Sequence, residues 1–158
     1  MRPALRCLVW ELDNTLWDGV VCDATSTAPR PGSLRALQTL SDRGIWHAVA
    51  SRGDRDLTMD KLYRHGVYEM FSAIEIGWGR KSSSLVRIAT TLGLSLDTIG
   101  FIDAEPIERA EVQRALPRVR CYAARNADVL PALPEFRPVL PTGPNRTPPL
   151  GFARVPVL

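Results

Sequence analysis

Apolar residues arrive in short runs, and the longer segments between them repeat every three or four positions. Leu5 to Glu11 is an apolar run that predicts a first strand. Ser33 predicts the N-cap of a helix through Asp42, with Leu34, Leu37 and Leu40 on one face. Ile45 to Ala50 predicts a second strand, closing at Ser51-Arg52-Gly53, after which Asp54 or Asp56 caps a helix to about His65. Phe71 to Ile76 reads as a third strand. Leu85, Ile88, Ala89 and Leu92 lie at helical spacing between Ser82 and Leu92, and Gly93 ends that helix. Thr98 to Asp103 predicts a fourth strand, and Pro106 opens a helix to about Leu116, where proline is tolerated in the first turn. Val119 to Ala123 predicts a fifth strand. Strands alternating with helices of this length imply an α/β domain whose parallel sheet is covered on both faces.

The pattern changes at Pro131. Eight of the 13 prolines lie in residues 131–158, with Phe136 and Phe152 as isolated aromatics. This divides the chain into a core domain, 1–130, and a proline-rich C-terminal tail, 131–158, that is expected to be disordered or an extended strap on the domain or a partner.

Composition narrows the class without naming a function. The 158 residues suffice for one domain with a real core, and 45% hydrophobic with 23% charged residues is ordinary for a globular protein. The net charge of +3 comes without a basic block, so no nucleic-acid partner is expected. No apolar run approaches the roughly 20 residues of a membrane span, so no membrane partner is expected either. Cys7, Cys22 and Cys121 form no C-x-x-C pair, which predicts neither a disulfide framework nor a zinc site. Together with a start that lacks an apolar leader segment, this predicts a cytoplasmic location.

The candidate chemistry begins in Leu8-Val9-Trp10-Glu11-Leu12-Asp13-Asn14-Thr15-Leu16-Trp17. Glu11 and Asp13 are two residues apart, so on an extended chain they share a face and converge at the carboxyl edge of the sheet, where ligands of open α/β folds bind. Ser51 ends the second strand, Lys81 precedes the third helix, and Asp103 ends the fourth strand with Glu105 two residues on. A hydroxyl, a lysine and several carboxylates on one sheet edge suit phosphate and Mg²⁺ chemistry, since carboxylates hold a hard cation while lysine and hydroxyl neutralise phosphoryl oxygens. Gly77-Trp78-Gly79-Arg80-Lys81-Ser82 lacks the spacing of a true P-loop. His47, His65, Trp10 and Trp46 read as packing residues, the arginines at 109, 114, 118 and 120 as a solvated face, and Trp17 as a residue of the site mouth. Cys22, in the same loop, is a candidate thioester residue.

The segments LVWELDNTLWDGVV, PGSLRALQTLSDRGI, VASRGD, IEIGWGRKSSSLVRIA and GFIDAEPIERAEVQRALP, in this order, resemble the haloacid dehalogenase (HAD) superfamily over about residues 5 to 123. The finer resemblance is to its FkbH-like (HAD-IIIC) branch, which includes magnesium-dependent phosphatases. The resemblance implies a three-layer Rossmann-like fold with a five-stranded parallel sheet in the order 5-4-1-2-3, without a cap domain. It implies Glu11 at the position of the phosphoryl-accepting aspartate, Asp13 as general acid/base, Ser51 and Lys81 as catalytic and phosphate-binding groups, and Arg52 and Trp17 as substrate-binding neighbours. Mg²⁺ would be the cofactor, held by Glu11, Asp13 (through its backbone carbonyl) and Asp103.

Two positions depart from the family pattern. Glu11 stands where the nucleophile is aspartate, and the extra methylene moves the carboxylate by roughly 1 Å. Ala104 stands where a paired acid follows Asp103. The expected activity is Mg²⁺-dependent processing of a phosphorylated small molecule, an acyl phosphate or a carrier-protein-bound substrate, in keeping with secondary metabolism. The departures open a second reading, a catalytically degenerate member with a binding or scaffold role. The branch also admits a third, glyceryl transfer to an acyl carrier protein as partner.

Overall fold

The computed structural model describes residues 1–20, 28–139 and 156–157. Five parallel strands form its centre: β1 (Cys7–Trp10), β2 (Trp46–Arg52), β3 (Ala73–Gly77), β4 (Ile99–Asp103) and β5 (Arg120–Ala123). Their order is β5-β4-β1-β2-β3, as the resemblance implies. A two-residue strand, β6 (Pro156–Val157), adds to the outer edge of β3 with Ile74 opposite Pro156. Proline is accommodated there because an edge strand needs only half of its hydrogen-bonding groups.

β1 shows why the sheet is buried on both faces. Leu8 and Trp10 point into one core cluster, Cys7 and Val9 into the other, following the two-residue period of a strand. The first cluster takes Ala36, Leu37 and Leu40 from α1 (Pro31–Asp42) and Leu62 from α2 (Arg55–Arg64). The second takes Leu85, Ile88 and Ala89 from α3 (Lys81–Leu92) and Val112 from α4 (Pro106–Ala115). Gly100 on β4 permits close packing here: a Cβ would lie 3.1 Å from the side chains of both Leu5 and Tyr122, which would have to give way by a few tenths of an ångström.

Helix α1 begins at Pro31, two residues before the expected cap. Proline supplies the helical φ at the first position, and Ser33 is free to donate its Oγ–H to the Thr15 carbonyl at 2.9 Å. Asp54 does cap α2, accepting from the Leu57 N–H at 3.0 Å. His47 is a packing residue as expected: its Nδ1 accepts from Trp10 Nε1–H at 2.9 Å, and burial drives its pKa down to about 3.

The packed domain does not stop at residue 130. A 3-10 segment, Ala124–Ala132, and a 3-10 turn, Pro134–Phe136, strap the chain across the α1 face. Phe136 is fully buried, its ring 5.3 Å from that of Tyr122. Arg43 Nη1 donates to the carbonyls of Pro131 and Phe136 at 2.7 and 2.9 Å, and the Leu5 N–H donates to the Glu135 carbonyl at 2.8 Å. Leu133 and Val139 pack against the same core as Phe136, so residues 131–139 lie along the domain. The remainder of the tail, apart from β6, lies outside the described residues, as does Cys22 with its thioester role. Of the arginines read as a solvated face, Arg114 and Arg118 are exposed, but Arg120 Nη2 donates to the carbonyls of Pro3 and Asp97.

Candidate active site

The end of β1 is shaped by its own loop. Asn14 adopts a left-handed backbone (φ 56°), which its short polar side chain tolerates, and its Oδ1 accepts from the Gly19 N–H at 3.0 Å. Thr15 is buried and accepts the Ala104 N–H at 3.2 Å, tying the loop to the end of β4. This turn leaves Glu11 and Asp13 on the carboxyl edge of the sheet.

Four donors meet on Glu11. Its Oε1 accepts from Ser51 Oγ–H and from the Leu12 N–H, each at 2.7 Å. Its Oε2 accepts from the Lys81 ammonium and, at 3.4 Å, from the Arg52 N–H. Lys81 also donates to Asp103 Oδ2 at 3.0 Å. Glu11, Lys81 and Asp103 are 7%, 3% and 1% exposed, so this triad is an ion cluster inside the protein. Burial alone would lower the Lys81 pKa, but the flanking Glu11 and Asp103 carboxylates outweigh it and hold the ammonium above its usual range. Burial pushes the Glu11 carboxyl up, against the pull of Lys81, Ser51 and the Leu12 N–H.

Outer contacts fix these groups. Asp103 Oδ1 accepts from the Glu105 N–H at 2.9 Å, and the Asp103 carbonyl accepts from Arg109 Nη1 at 2.6 Å. Arg109 is thus a support of the site and not part of a solvated face. Arg52 Nη2 pairs with Glu108 at 3.3 Å and donates to the Gly79 carbonyl at 3.4 Å, which ties the end of β2 to the first turn of α4 and to the loop after β3. The Ser82 N–H at the start of α3 donates to Glu111 Oε1 at 2.9 Å, so this helix terminus already faces a carboxylate.

A cavity of about 210 Å³ opens beside the cluster, lined by Glu11, Asp13, Arg52, Lys81, Asp103 and Glu108 among others. Asp13, Ser51, Lys81 and Asp103, distant in sequence, therefore meet at one edge, as expected. Trp17 does not line the cavity. It is fully buried, with the Lys61 ammonium 4.2 Å from its ring centroid and His65 packed against it. Its ring is buried against Lys61 and His65, and its one polar atom, Nε1–H, finds a partner there by donating to Asp13 Oδ1 at 2.9 Å. Trp17 thereby orients Asp13 from below. Thr15, Arg109 and Glu111 were missed as parts of the site; the short spacing of Thr15 from Asp13 was the available signal for the first.

The donors fit a hard cation in kind. Glu11, Asp13 and Asp103 present only oxygens, the ligands magnesium takes. Among the described residues no group of three His, Cys, Asp or Glu side chains is placed to hold a metal.

Solved structures match this architecture. The N-terminal part of a Bacteroides fragilis protein, described as containing a phosphatase domain complexed with Mg, superposes with a TM-score of 0.73 at 24% identity, over 85% of this chain and 40% of that one. A HAD-superfamily hydrolase from Ehrlichia chaffeensis gives 0.61 at 11% identity, over 78% and 88%. The chain has the haloacid dehalogenase fold. The cobalt-bound deoxy-D-mannose-octulosonate 8-phosphate phosphatase of Haemophilus influenzae shares this HAD architecture with a TM-score of 0.58 at 16% identity, over 76% and 68%. The chain spans less than half of the Bacteroides structure. No family model and no curated protein matches the sequence.

Proposed function

We propose that this HAD-fold chain is a magnesium-assisted, phosphatase-type protein of the FkbH-like branch, with an open, capless site for a phosphorylated or acyl-phosphate substrate. One observation carries the reading: Ser51 Oγ, Lys81 Nζ and the N–H groups of Leu12 and Arg52 converge on a single pair of oxygens. A cation, a hydroxyl and two backbone dipoles aimed at one point form an oxyanion pocket, and phosphoryl transfer depends mainly on such positioning and charge stabilisation. Glu11, Asp103 and the Asp13 carbonyl would hold magnesium, which when bound supplies further neutralisation of phosphoryl charge. Asp13, steered by Trp17, would give a proton to the leaving group and take one from water. Val20 lines the cavity and is exposed, as are Trp78 directly after β3 and Ile107 in the first turn of α4, apolar groups suited to a large or carrier-bound substrate in the cytoplasm.

The test is phosphate release from an aryl or acyl phosphate with and without Mg²⁺. Mg²⁺-stimulated turnover is expected, with Asp13→Asn lowering the rate by about 10²- to 10⁴-fold. An unchanged rate in that variant removes the mechanism. A second reading, a degenerate member with a binding role, is favoured by Glu11 lying within the pocket and by Ala104 where a second acid is missing. It expects no native turnover and a gain of Mg²⁺-dependent activity in Glu11→Asp.

A further inference from the structure

The pocket around Glu11 is built from elements that do not depend on Glu11. The Leu12 N–H belongs to the end of β1, Ser51 and the Arg52 N–H to the end of β2, and Lys81 to the first turn of α3. Lys81 is held independently by Asp103 at 3.0 Å, and the end of β2 by the pairing of Arg52 with Glu108. Each donor therefore has its place set by the sheet edge. Both oxygens of Glu11 are taken up: two donors reach Oε1 and two reach Oε2. A second anion entering from the adjoining cavity would find these donors spent and would face the acids Glu11, Asp13, Asp103, Glu105 and Glu108 across the same lining.

We infer that Glu11 is the resident occupant of this oxyanion pocket: its carboxylate stands where the oxygens of a phosphoryl ligand would bind, and withdrawing it opens a site for a tetrahedral oxyanion. The inference rests on the pocket being a phosphoryl site and adds that Glu11 competes with the ligand instead of attacking it. The physical basis is substitution of like for like. A carboxylate and a phosphoryl group both present acceptor oxygens to charge-assisted donors, and the longer side chain carries the carboxylate into the donors that a shorter one would leave to the ligand.

The experiment is calorimetric titration of the native chain with inorganic phosphate, alongside Glu11→Ala, Glu11→Asp, Glu11→Gln and the double variant Glu11→Ala/Ser51→Ala. Glu11→Ala is expected to bind phosphate at least about tenfold more tightly than the native chain, the worth of one charge-assisted contact. Acetate should compete, since it restores the missing carboxylate, and the added Ser51→Ala should erase the gain. Equal affinity in the native chain and Glu11→Ala, or a gain that survives Ser51→Ala, overturns the inference. If Glu11→Ala does not fold, the two remaining single variants decide. Aspartate is shorter and should gain affinity, whereas glutamine removes the charge but fills the same space and should not. A gain in Gln equal to that in Asp would make repulsion the whole effect and end the occupancy argument. Hydrolysis assays keep the two readings apart. Phosphate binding gained without turnover in any variant spares this inference and removes the phosphatase, whereas native turnover with no affinity difference does the reverse.

Discussion

Lys81 bridges two buried carboxylates at once, so replacing it leaves both without their shared cation. In Lys81→Met, Glu11 and Asp103 face each other without a cation, and breaking a buried ion cluster by removing one partner costs about 3–5 kcal/mol. Chemical denaturation at neutral pH should show a loss of that size. The sign of its pH dependence follows from the charges. Without Lys81 the Glu11 carboxyl loses the cation that pulls its pKa down, so acidification protonates it sooner and the gap to the native protein should narrow as pH falls. A gap that stays constant from pH 7 to pH 4 would mean that Lys81 acts by packing alone. At this scale, too, Trp17→Phe should keep the ring and its packing but lose the bond to Asp13. If Asp13 is the acid/base, kcat falls by about tenfold with KM little changed, the pattern of a group made important in the transition state.

At the scale of elements, β2 carries a buried histidine whose neutrality the fold depends on. His47 has its pKa lowered from 6.5 to about 3 by burial, so its contribution is fully present above about pH 6.5 and is lost as pH falls towards 3. Stability measured across this window should decline in the native chain. The decline should be shallower in His47→Gln, whose amide oxygen can still accept from the Trp10 indole and which has no proton to gain. The strap after β5 makes the second prediction. Phe136→Ala deletes a fully buried ring, and aromatic truncations of this kind cost about 3–5 kcal/mol. Thermal melts should show a marked fall in Tm, and a chain ending at residue 130 should fall at least as far, because it also loses the Arg43 and Leu5 partners.

At the scale of the whole molecule, two cores on either side of one sheet hold the loops of four strands at a common edge. Much of this was legible in the chain. Leu5 to Glu11 and Thr98 to Asp103 are apolar runs too short for helices. Leu85, Ile88, Ala89 and Leu92 recur at helical spacing. These local signals set the succession of elements, and the order and spacing of Glu11, Asp13, Ser51, Lys81 and Asp103 marked the edge where they would meet. Local pattern determines secondary structure because strand and helix periods are properties of a few neighbouring residues. What depended on contacts between distant segments was decided only by the tertiary structure. Trp17 went under the site because Lys61 and His65 could cover its ring and Asp13 could take its N–H. Phe136 drew part of a proline-rich tail into the core. The carboxylate of Glu11 settled among Ser51, Lys81 and two backbone amides because burial leaves a charged group no water to turn to, only the donors that folding brings within reach.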